Sequence, residues 1–232
     1  MAKRSHKKSR MFRLDKETRI VTCNPVIGCK HRCYFDNCWA AILCRKLQAK
    51  GGKYVQGFLV PRFFPEELKQ SFPADSVVFM TSMGDLFGQW VPATWILAVI
   101  QVVHQNPQTT FFFETKNPGR YDQFLKVLPP NVILSSTIET NRDYKVSLAP
   151  PVEERYKAMA ALEWSRKHIS IEPVMDFDQG MFLEWLREIG PEIVSVGYDN
   201  YKCGLPEPDR SKVYKLIAEL EKFCKVERKG DL

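Results

Sequence analysis

The sequence predicts an α/β fold in which parallel strands alternate with helices, and two observations support this. Six short runs rich in β-branched and aromatic residues alternate with longer amphipathic segments, which is the pattern of βα units in a parallel sheet. Most of these runs are apolar over consecutive residues and end in a polar cluster, as expected of strands that helices cover. Six units are too few for an eight-stranded barrel, so the pattern fits either a partial barrel or an open doubly wound sheet.

The expected strands follow one another at intervals that leave room for a helix between most pairs. In chain order they cover residues 19–22, 76–81, 110–115, 132–137, 168–172 and 193–197. Because the crossovers between parallel strands are right-handed, the carboxyl ends of all these strands lie on one face of the fold. Polar residues that follow different strands are therefore expected to meet there.

Four helices are expected between and after these strands. The first covers residues 39–48, and the second begins at Pro92, a residue type favoured in the first turn of a helix, and ends before Asn106. The third covers residues 178–189 and stops at Gly190, and the fourth covers residues 209–226. The last three have apolar side chains on one side, which predicts that they pack on the sheet.

The positive charge of the chain is concentrated at its N-terminus. The formal net charge is +7, and the first ten residues carry five positive charges and no acid. We expect residues 1–17 to form a basic flexible tail and residues 18–232 to form a single domain. Such a tail either contacts nucleic acid or is simply solvated. No apolar run is long enough to span a membrane and no signal-peptide pattern is present, so we expect a cytoplasmic protein without membrane contact.

Three of the seven cysteines lie close together between the first strand and the first helix. They are Cys29, Cys33 and Cys38, in the pattern C-x3-C-x4-C. Thiolates favour zinc or an iron–sulfur cluster. A zinc site would need a fourth ligand, for which His31, Cys23 or Cys44 is close in sequence, but the usual paired zinc spacing is absent. An iron–sulfur cluster held by three thiolates would leave one iron open for chemistry.

This segment resembles the cluster loop of the radical S-adenosylmethionine (SAM) superfamily, whose usual pattern is C-x3-C-x2-C, with two residues inserted before the last cysteine. Further blocks resemble one branch of that superfamily, the phage Gp37/Gp68-like (DUF5131-like) proteins. They are residues 24–25, 36–40, 79–87, 114–118 and 170–173. The resemblance covers residues 18–200 and implies a partial (β/α)6 TIM-like barrel of the radical SAM type. It also implies a 4Fe-4S cluster, held by the three cysteines, that binds S-adenosyl-L-methionine at its open iron.

The resemblance further implies which residues hold S-adenosylmethionine. Asp85 follows the second strand, where the superfamily holds the amino group, and an acceptor-only carboxylate suits an ammonium. Lys116 is expected to neutralise the carboxylate of the ligand, and Glu139 to lie near its sulfonium, a fixed cation. Phe35 or Tyr34 would replace the aromatic residue that usually precedes the last cysteine. The full set of expected cofactor-binding residues is Phe35, Asn37, Ser82, Gly84, Asp85, Glu114, Lys116, Ser135, Ser136, Thr137, Glu139 and Glu172.

The function that the resemblance implies is enzymatic. The chain would cleave S-adenosylmethionine reductively to methionine and a 5′-deoxyadenosyl radical, which abstracts hydrogen from a substrate that the sequence does not identify. Nucleic acid is the first substrate class to test, because of the basic tail, and a peptide or a small molecule is nearly as well supported. An electron donor such as ferredoxin or flavodoxin is an implied partner. The alternative is a non-catalytic zinc- or cluster-stabilised protein that binds nucleic acid.

Overall fold

The computed structural model describes residues 18–232 and contains a seven-stranded, entirely parallel sheet in which neighbouring strands follow chain order. The strands are β1 (Arg19–Cys23), β2 (Val26–Ile27), β3 (Arg62–Phe63), β4 (Ser76–Met80), β5 (Thr110–Thr115), β6 (Val132–Thr137), β7 (Lys167–Ile171), β8 (Ile193–Val196) and β9 (Lys225–Arg228). The helices are α1 (Trp39–Gln48), α2 (Ala93–His104), α3 (Val152–Ala161), α4 (Gln179–Ile189) and α5 (Arg210–Leu220). Strands β2 and β3 form a separate antiparallel pair. The architecture is the partial α/β barrel that was expected.

All six expected strands and all four expected helices are present, and every end but one agrees with the expected end to within one residue. The structure adds α3, and it joins β5 to β6 through 3-10 turns instead of an α-helix. The expected basic tail, residues 1–17, lies outside the described residues. Across residues 18–232, none of the helices has the length and hydrophobicity needed to cross a bilayer.

The fourth expected helix, residues 209–226, was too long. Helix α5 ends at Leu220, and β9 then pairs with β8 at the edge of the sheet. The apolar stripe of α5 ends at the buried Leu220, whereas Phe223 is 37% exposed. Strand β9 has the sequence Lys-Val-Glu-Arg, and a single apolar residue among charged ones gives neither an apolar run nor a helical period. Within residues 18–232 the barrel therefore has seven strands, one more than the sequence predicted.

Side chains on the inner face of the sheet change from apolar to polar along the strands. An apolar cluster fills the lower part of this face and consists of Val77, Phe79, Phe112, Ile133 and Ile193. Toward the carboxyl ends, the residues on this same face are Glu114, Ser135, Thr137, His168, Ser170 and Ser195, as the strand register and the two-residue period require. The polar end of the barrel interior is where the functional residues lie.

Two glycines hold the beginning of the cysteine loop against the end of β4. Gly28 pairs with Gly84 in a parallel bridge, and the Gly28 N–H donates to the Met83 carbonyl at 2.9 Å. A Cβ atom on Gly84 would lie 2.9 Å from the Gly28 carbonyl oxygen, and one on Gly28 would lie 2.8 Å from that of Val60. Gly28 also has a φ of +103°. Both positions therefore require glycine.

Candidate active site

A cavity of about 400 Å³ opens at the carboxyl ends of the strands. Its wall combines the cysteine loop with residues that follow or end β4, β5, β6, β7, β8 and β9. The polar and thiol side chains in the wall include Cys29, Cys33, Asn37, Cys38, Thr81, Ser82, Asp85, Glu114, Lys116, Thr137, His168, Ser170, Glu172, Ser195, Tyr198, Asp199, Cys203 and Lys229. Another hollow, of about 550 Å³, lies beside β3 and α2 and is lined by no cysteine of the described chain. The convergence at the strand ends makes the first cavity the candidate site.

The three cysteines of the expected cluster loop all face this cavity. Cys29 and Cys33 are buried, and Cys38 caps α1 by accepting the Ala41 N–H at 3.4 Å. In the metal-free chain, burial raises the pKa of all three thiols, to about 12 for Cys33, where the charge of Lys116 opposes the rise. Thiolates are the form that binds iron, so metal binding must release protons from this loop.

The backbone of the cysteine loop separates its two aromatic residues. Four non-glycine residues of the loop have a positive φ, which is uncommon: Arg32, Tyr34, Phe35 and Asp36. Tyr34 turns inward and lines the cavity, and its N–H donates to the Val146 carbonyl at 2.6 Å. Phe35 turns outward and is 72% exposed. Of the two aromatic candidates, Tyr34 therefore packs beside the cysteines, and the placement of Phe35 does not support its expected role in cofactor binding.

The carboxylate of Asp85 is fully occupied by the protein. One oxygen accepts the Thr115 hydroxyl at 2.7 Å and the Phe87 N–H at 3.0 Å; the other lies 2.8 Å from Nε2 of His31 and accepts the Lys116 N–H at 3.0 Å. Burial favours the protonated carboxyl, but the hydrogen bond and charge of His31, with the other donors, hold the pKa of Asp85 below its usual value. These four contacts use the acceptor positions of a carboxylate. Asp85 therefore anchors the cysteine loop to β4 and β5, a role different from the expected contact with an ammonium.

Lys116 connects the cavity to a buried network of ion pairs. Its ammonium donates to Glu139 at 2.7 Å and to the Tyr34 hydroxyl at 3.1 Å, and Arg155 donates to the second Glu139 oxygen at 2.7 Å. Burial would raise the pKa of Glu139, but the two cations lower it to about 2. Glu139 is 1% exposed and does not line the cavity. Its placement supports a role in holding Lys116, and not the expected contact with a sulfonium.

Two further carboxyl groups do face the cavity. Glu114 at the end of β5 and Glu172 after β7 are both half-buried. Burial raises the pKa of each to about 7; Lys116 and a hydrogen bond with Ser170 oppose the rise at Glu114, whereas Lys229 opposes it at Glu172. A carboxyl group with a pKa near neutrality is able both to donate and to accept a proton under physiological conditions.

Sequence reasoning did not identify the buried histidine of the site. Nδ1 of His168 lies 2.8 Å from the Ser135 hydroxyl, and Nε2 lies 2.9 Å from that of Ser195. Burial and the charge of Lys229 lower the pKa of His168 to about 3, so the ring is neutral at physiological pH. The available signal was the alternation of polar and apolar residues from His168 to Ile171 in β7, which indicates a strand with one polar face.

Eight of the twelve expected cofactor-binding residues line the cavity. They are Asn37, Ser82, Gly84, Asp85, Glu114, Lys116, Thr137 and Glu172. The other four do not line it: Phe35, Ser135, Ser136 and Glu139. Ser135 is engaged with His168, and Ser136 is fully buried on the other face of β6. Contact with a cofactor stays a prediction for the eight, but the contacts that already engage Asp85 and the raised pKa values of Glu114 and Glu172 favour other roles for these three.

Of the three residues that the sequence suggested as a fourth zinc ligand, Cys23 and Cys44 are completely buried outside the cavity. His31 lines the cavity, with Nε2 engaged by Asp85 and Nδ1 without a hydrogen-bond partner among the described residues. Within residues 18–232, no group of three or more His, Cys, Asp or Glu side chains has the geometry to hold a single metal ion. The zinc alternative, which needs four converging ligands, therefore finds no support in the described part of the chain.

The chemistry of the cavity fits an iron–sulfur cluster with one open iron. In a 4Fe-4S cluster each thiolate binds a different iron, so the sulfur atoms need not converge on one ion. The cavity wall also contains Thr81, which is 2% exposed, has a φ of +63° and has a hydroxyl that makes no hydrogen bond to any described residue. A buried hydroxyl without a partner beside a strained backbone indicates a group that a ligand completes.

The two cavity carboxyls predict how stability depends on pH. Their pKa values of about 7 lie above the usual value of 4.5, so the folded chain holds protons that the unfolded chain has lost, and stability falls as pH rises from about 4.5 to 7. We expect the double variant Glu114→Gln, Glu172→Gln to remove this decline, which is on the order of 2 kcal/mol for each carboxyl once solvent screening at the half-buried side chains is allowed for. Urea unfolding of the metal-free chain at several pH values between 5 and 8 measures this. An identical pH dependence in the wild type and the variant would contradict the assignment.

Comparison with known proteins places the chain in a sequence family and identifies similar folds. Residues 17–189 match the family described as "Protein of unknown function (DUF5131)". No curated protein matches the sequence. A mutant spore photoproduct lyase with bound AdoMet and dinucleoside spore photoproduct aligns over 94% of this chain at 10% identity, with a TM-score of 0.52. A radical SAM methyltransferase from Sphaerobacter thermophilus aligns over 94% of this chain and 67% of its own, at 14% identity and a TM-score of 0.51.

These structural likenesses concern the fold. The chain spans 65% of the length of that lyase and 80% of another mutant spore photoproduct lyase, to which it is 9% identical with a TM-score of 0.54. The shared architecture confirms the expected partial barrel. It does not by itself transfer an activity or a substrate.

Proposed function

Because the chain belongs to the DUF5131 family and has the partial barrel found in radical SAM enzymes, we propose that it is itself a radical S-adenosylmethionine enzyme. One observation carries the proposal: three cysteine thiols of a single loop face one cavity at the carboxyl ends of the strands. The finer resemblance to phage Gp37/Gp68-like proteins is part of the proposal. The three thiols, the neighbouring Lys116 and the unpartnered hydroxyl of Thr81 support the assignment to the radical SAM enzymes.

A 4Fe-4S cluster held by Cys29, Cys33 and Cys38 would supply one electron to S-adenosylmethionine, which yields methionine and a 5′-deoxyadenosyl radical that takes a hydrogen atom from the substrate. The protein has to fix the loop and exclude water from the cavity. Asp85 contributes by tying His31 of the loop to the strand ends.

Lys116 and Thr81 are the residues that we assign to S-adenosylmethionine. An ammonium has three donors, and Lys116 uses two of them on Glu139 and Tyr34. The third is available for the carboxylate of the ligand. The hydroxyl of Thr81 and the backbone after β4 would serve the amino group, in place of the fully engaged Asp85.

Glu114 and Glu172 belong to the part of the cavity that we assign to the substrate, because their pKa values near 7 suit proton exchange or hydrogen bonding with it.

We also propose nucleic acid as the substrate class. The structural neighbour that holds a dinucleoside and the five positive charges in the first ten residues favour it. Deletion of residues 1–10 should weaken binding to DNA or RNA and reduce its salt dependence, and unchanged binding would count against this class.

Anaerobic reconstitution with iron and sulfide tests the enzyme proposal. After addition of dithionite and S-adenosylmethionine, we expect equal amounts of 5′-deoxyadenosine and methionine. Failure to form 5′-deoxyadenosine with a cluster demonstrably present would overturn the proposal. One zinc per chain, with no iron after anaerobic purification, would favour the zinc-stabilised nucleic-acid-binding protein instead.

A further inference from the structure

Two large apolar side chains project into solvent next to the cysteine loop. Phe35 and Leu148 are each 72% exposed, more than any other large hydrophobic residue of the described chain. The segments that carry them are joined by backbone hydrogen bonds, from the Tyr34 N–H to the Val146 carbonyl and from the Leu148 N–H to the His31 carbonyl, both at 2.6 Å. The two side chains therefore lie on the outer side of the loop whose inner side presents the thiols.

The outward position of Phe35 is imposed by the backbone. Tyr34, Phe35 and Asp36 have successive φ values of 54, 56 and 66°. A non-glycine residue pays an energetic cost in this region, and three in a row bury Tyr34 while they expose Phe35. Exposure of an aromatic ring at such a cost brings no gain in packing to the isolated chain, which indicates that the ring is used in a contact with a partner.

The apolar pair is surrounded by positive charge. Lys30, Arg32, Arg45 and Lys145 are exposed on the loop, on α1 and on the segment that pairs with the loop. Two acids lie among them. Asp36 is engaged by Arg32 at 2.6 Å, and Asp143 accepts the Lys145 N–H at 3.1 Å. Four cations against two carboxylates leave this surface with a net positive charge, which favours an acidic partner.

We propose that the surface formed by Phe35, Leu148 and the surrounding cations docks an acidic one-electron carrier protein of the ferredoxin or flavodoxin class. The inference rests on the proposed function, because only a reductive reaction needs such a partner. The reduced carrier gives up one electron, which passes through the loop to the cluster that the three thiols would hold. The carrier then leaves in its oxidised form. A small apolar centre with a charged rim suits the weak, transient complexes of electron transfer.

The cysteine loop explains why this surface is the entry point. Cys33 and Tyr34, which are 7% and 6% exposed, lie within two residues of Phe35 in sequence. A carrier seated on Phe35 is thus separated from the thiols by the thickness of one loop. A nucleic acid would be the competing occupant, since an exposed ring among cations also stacks bases. The aliphatic Leu148 favours a protein, because it offers no stacking surface.

The double variant Leu148→Ser, Lys145→Glu tests the proposal, since neither residue lines the cavity. Binding of the reconstituted protein to reduced flavodoxin and to ferredoxin is measured by calorimetry at low and moderate salt. We expect at least a tenfold weaker Kd for the variant, and an equal loss in carrier-driven formation of 5′-deoxyadenosine. The rate driven by dithionite should not change.

The matched control is Lys126→Glu, Val127→Ser, which makes the same changes at an exposed pair in the connection from β5 to β6. It should bind the carriers as the wild type does. Equal carrier binding by the wild type and the Leu148 variant, or no carrier binding by the wild type, would overturn the docking proposal even if dithionite supports turnover. Weakened oligonucleotide binding with unchanged carrier binding would overturn it in favour of nucleic acid. Absence of turnover with dithionite would contradict the proposed function. The binding measurement decides the docking proposal independently of that result.

Discussion

Replacement of Cys33 by alanine is expected to abolish cluster assembly and to reduce cleavage of S-adenosylmethionine by more than about 100-fold. Loss of a residue that only hydrogen-bonds to a metal ligand already lowers metal affinity or activity 10–100-fold. Cys33 would itself be a ligand, one of three from the protein. Iron and sulfide content, the visible absorption of the reconstituted protein and the yield of 5′-deoxyadenosine measure the effect. Because Cys33 is 7% exposed, thermal unfolding of the metal-free variant should also be recorded.

Cys224→Ala is the matched control. Its sulfur donates to the Leu220 carbonyl at 3.4 Å and does not line the cavity. The control should keep its iron and its activity. A Cys33 variant that unfolds like the wild type and still assembles a complete, active cluster would contradict the assignment of the three thiols.

Replacement of Glu139 by alanine is expected to cost about 3–5 kcal/mol of stability, because it leaves two buried cations without their shared partner. Glu139 pairs with Lys116 and Arg155, at 2.7 Å each, and the side chains are 1%, 11% and 5% exposed, respectively. Urea unfolding of the metal-free chain near pH 7 measures the loss. Lys116 then loses the partner that holds it in position. Binding of S-adenosylmethionine to the reconstituted protein should therefore also become weaker.

The effect of Glu139 should depend on pH in a defined direction. Its pKa of about 2 lies below the ordinary value of 4.5, so its contribution is complete above about pH 4.5 and disappears as the pH falls toward 2. Glu153→Ala, which removes an exposed pair with Lys157 on α3, is the control and should cost less than about 0.5 kcal/mol. A loss below about 1 kcal/mol for Glu139→Ala would contradict the buried network.

Much of the fold could be predicted from the sequence because its strands are apolar runs with clear ends. Strands β5 and β6 have the expected limits, since each is a continuous β-branched or aromatic run that closes on polar residues. Strand β9 could not be predicted, because its pairing with β8 decides its conformation and its own residues give no period.

The location of the site was easier to predict than the roles of its residues. Parallel topology brings the strand ends together, so a polar residue after a strand is a sound candidate. The role of Asp85 depends on His31 and Thr115, which are 54 and 30 residues away in sequence and reach it only in the folded chain. The role of Glu139 likewise depends on a residue distant in sequence, because Arg155 of α3 binds its carboxylate outside the cavity wall.

Electron–nuclear double resonance of the reduced cluster with labelled S-adenosylmethionine tests the central claim most directly. With ¹⁵N in the amino group and ¹⁷O in the carboxylate, we expect hyperfine coupling of both nuclei to the cluster, as direct binding to one open iron requires. A reduced 4Fe-4S cluster that shows neither coupling when the ligand is saturating, or whose four irons all have protein ligands, would contradict the account.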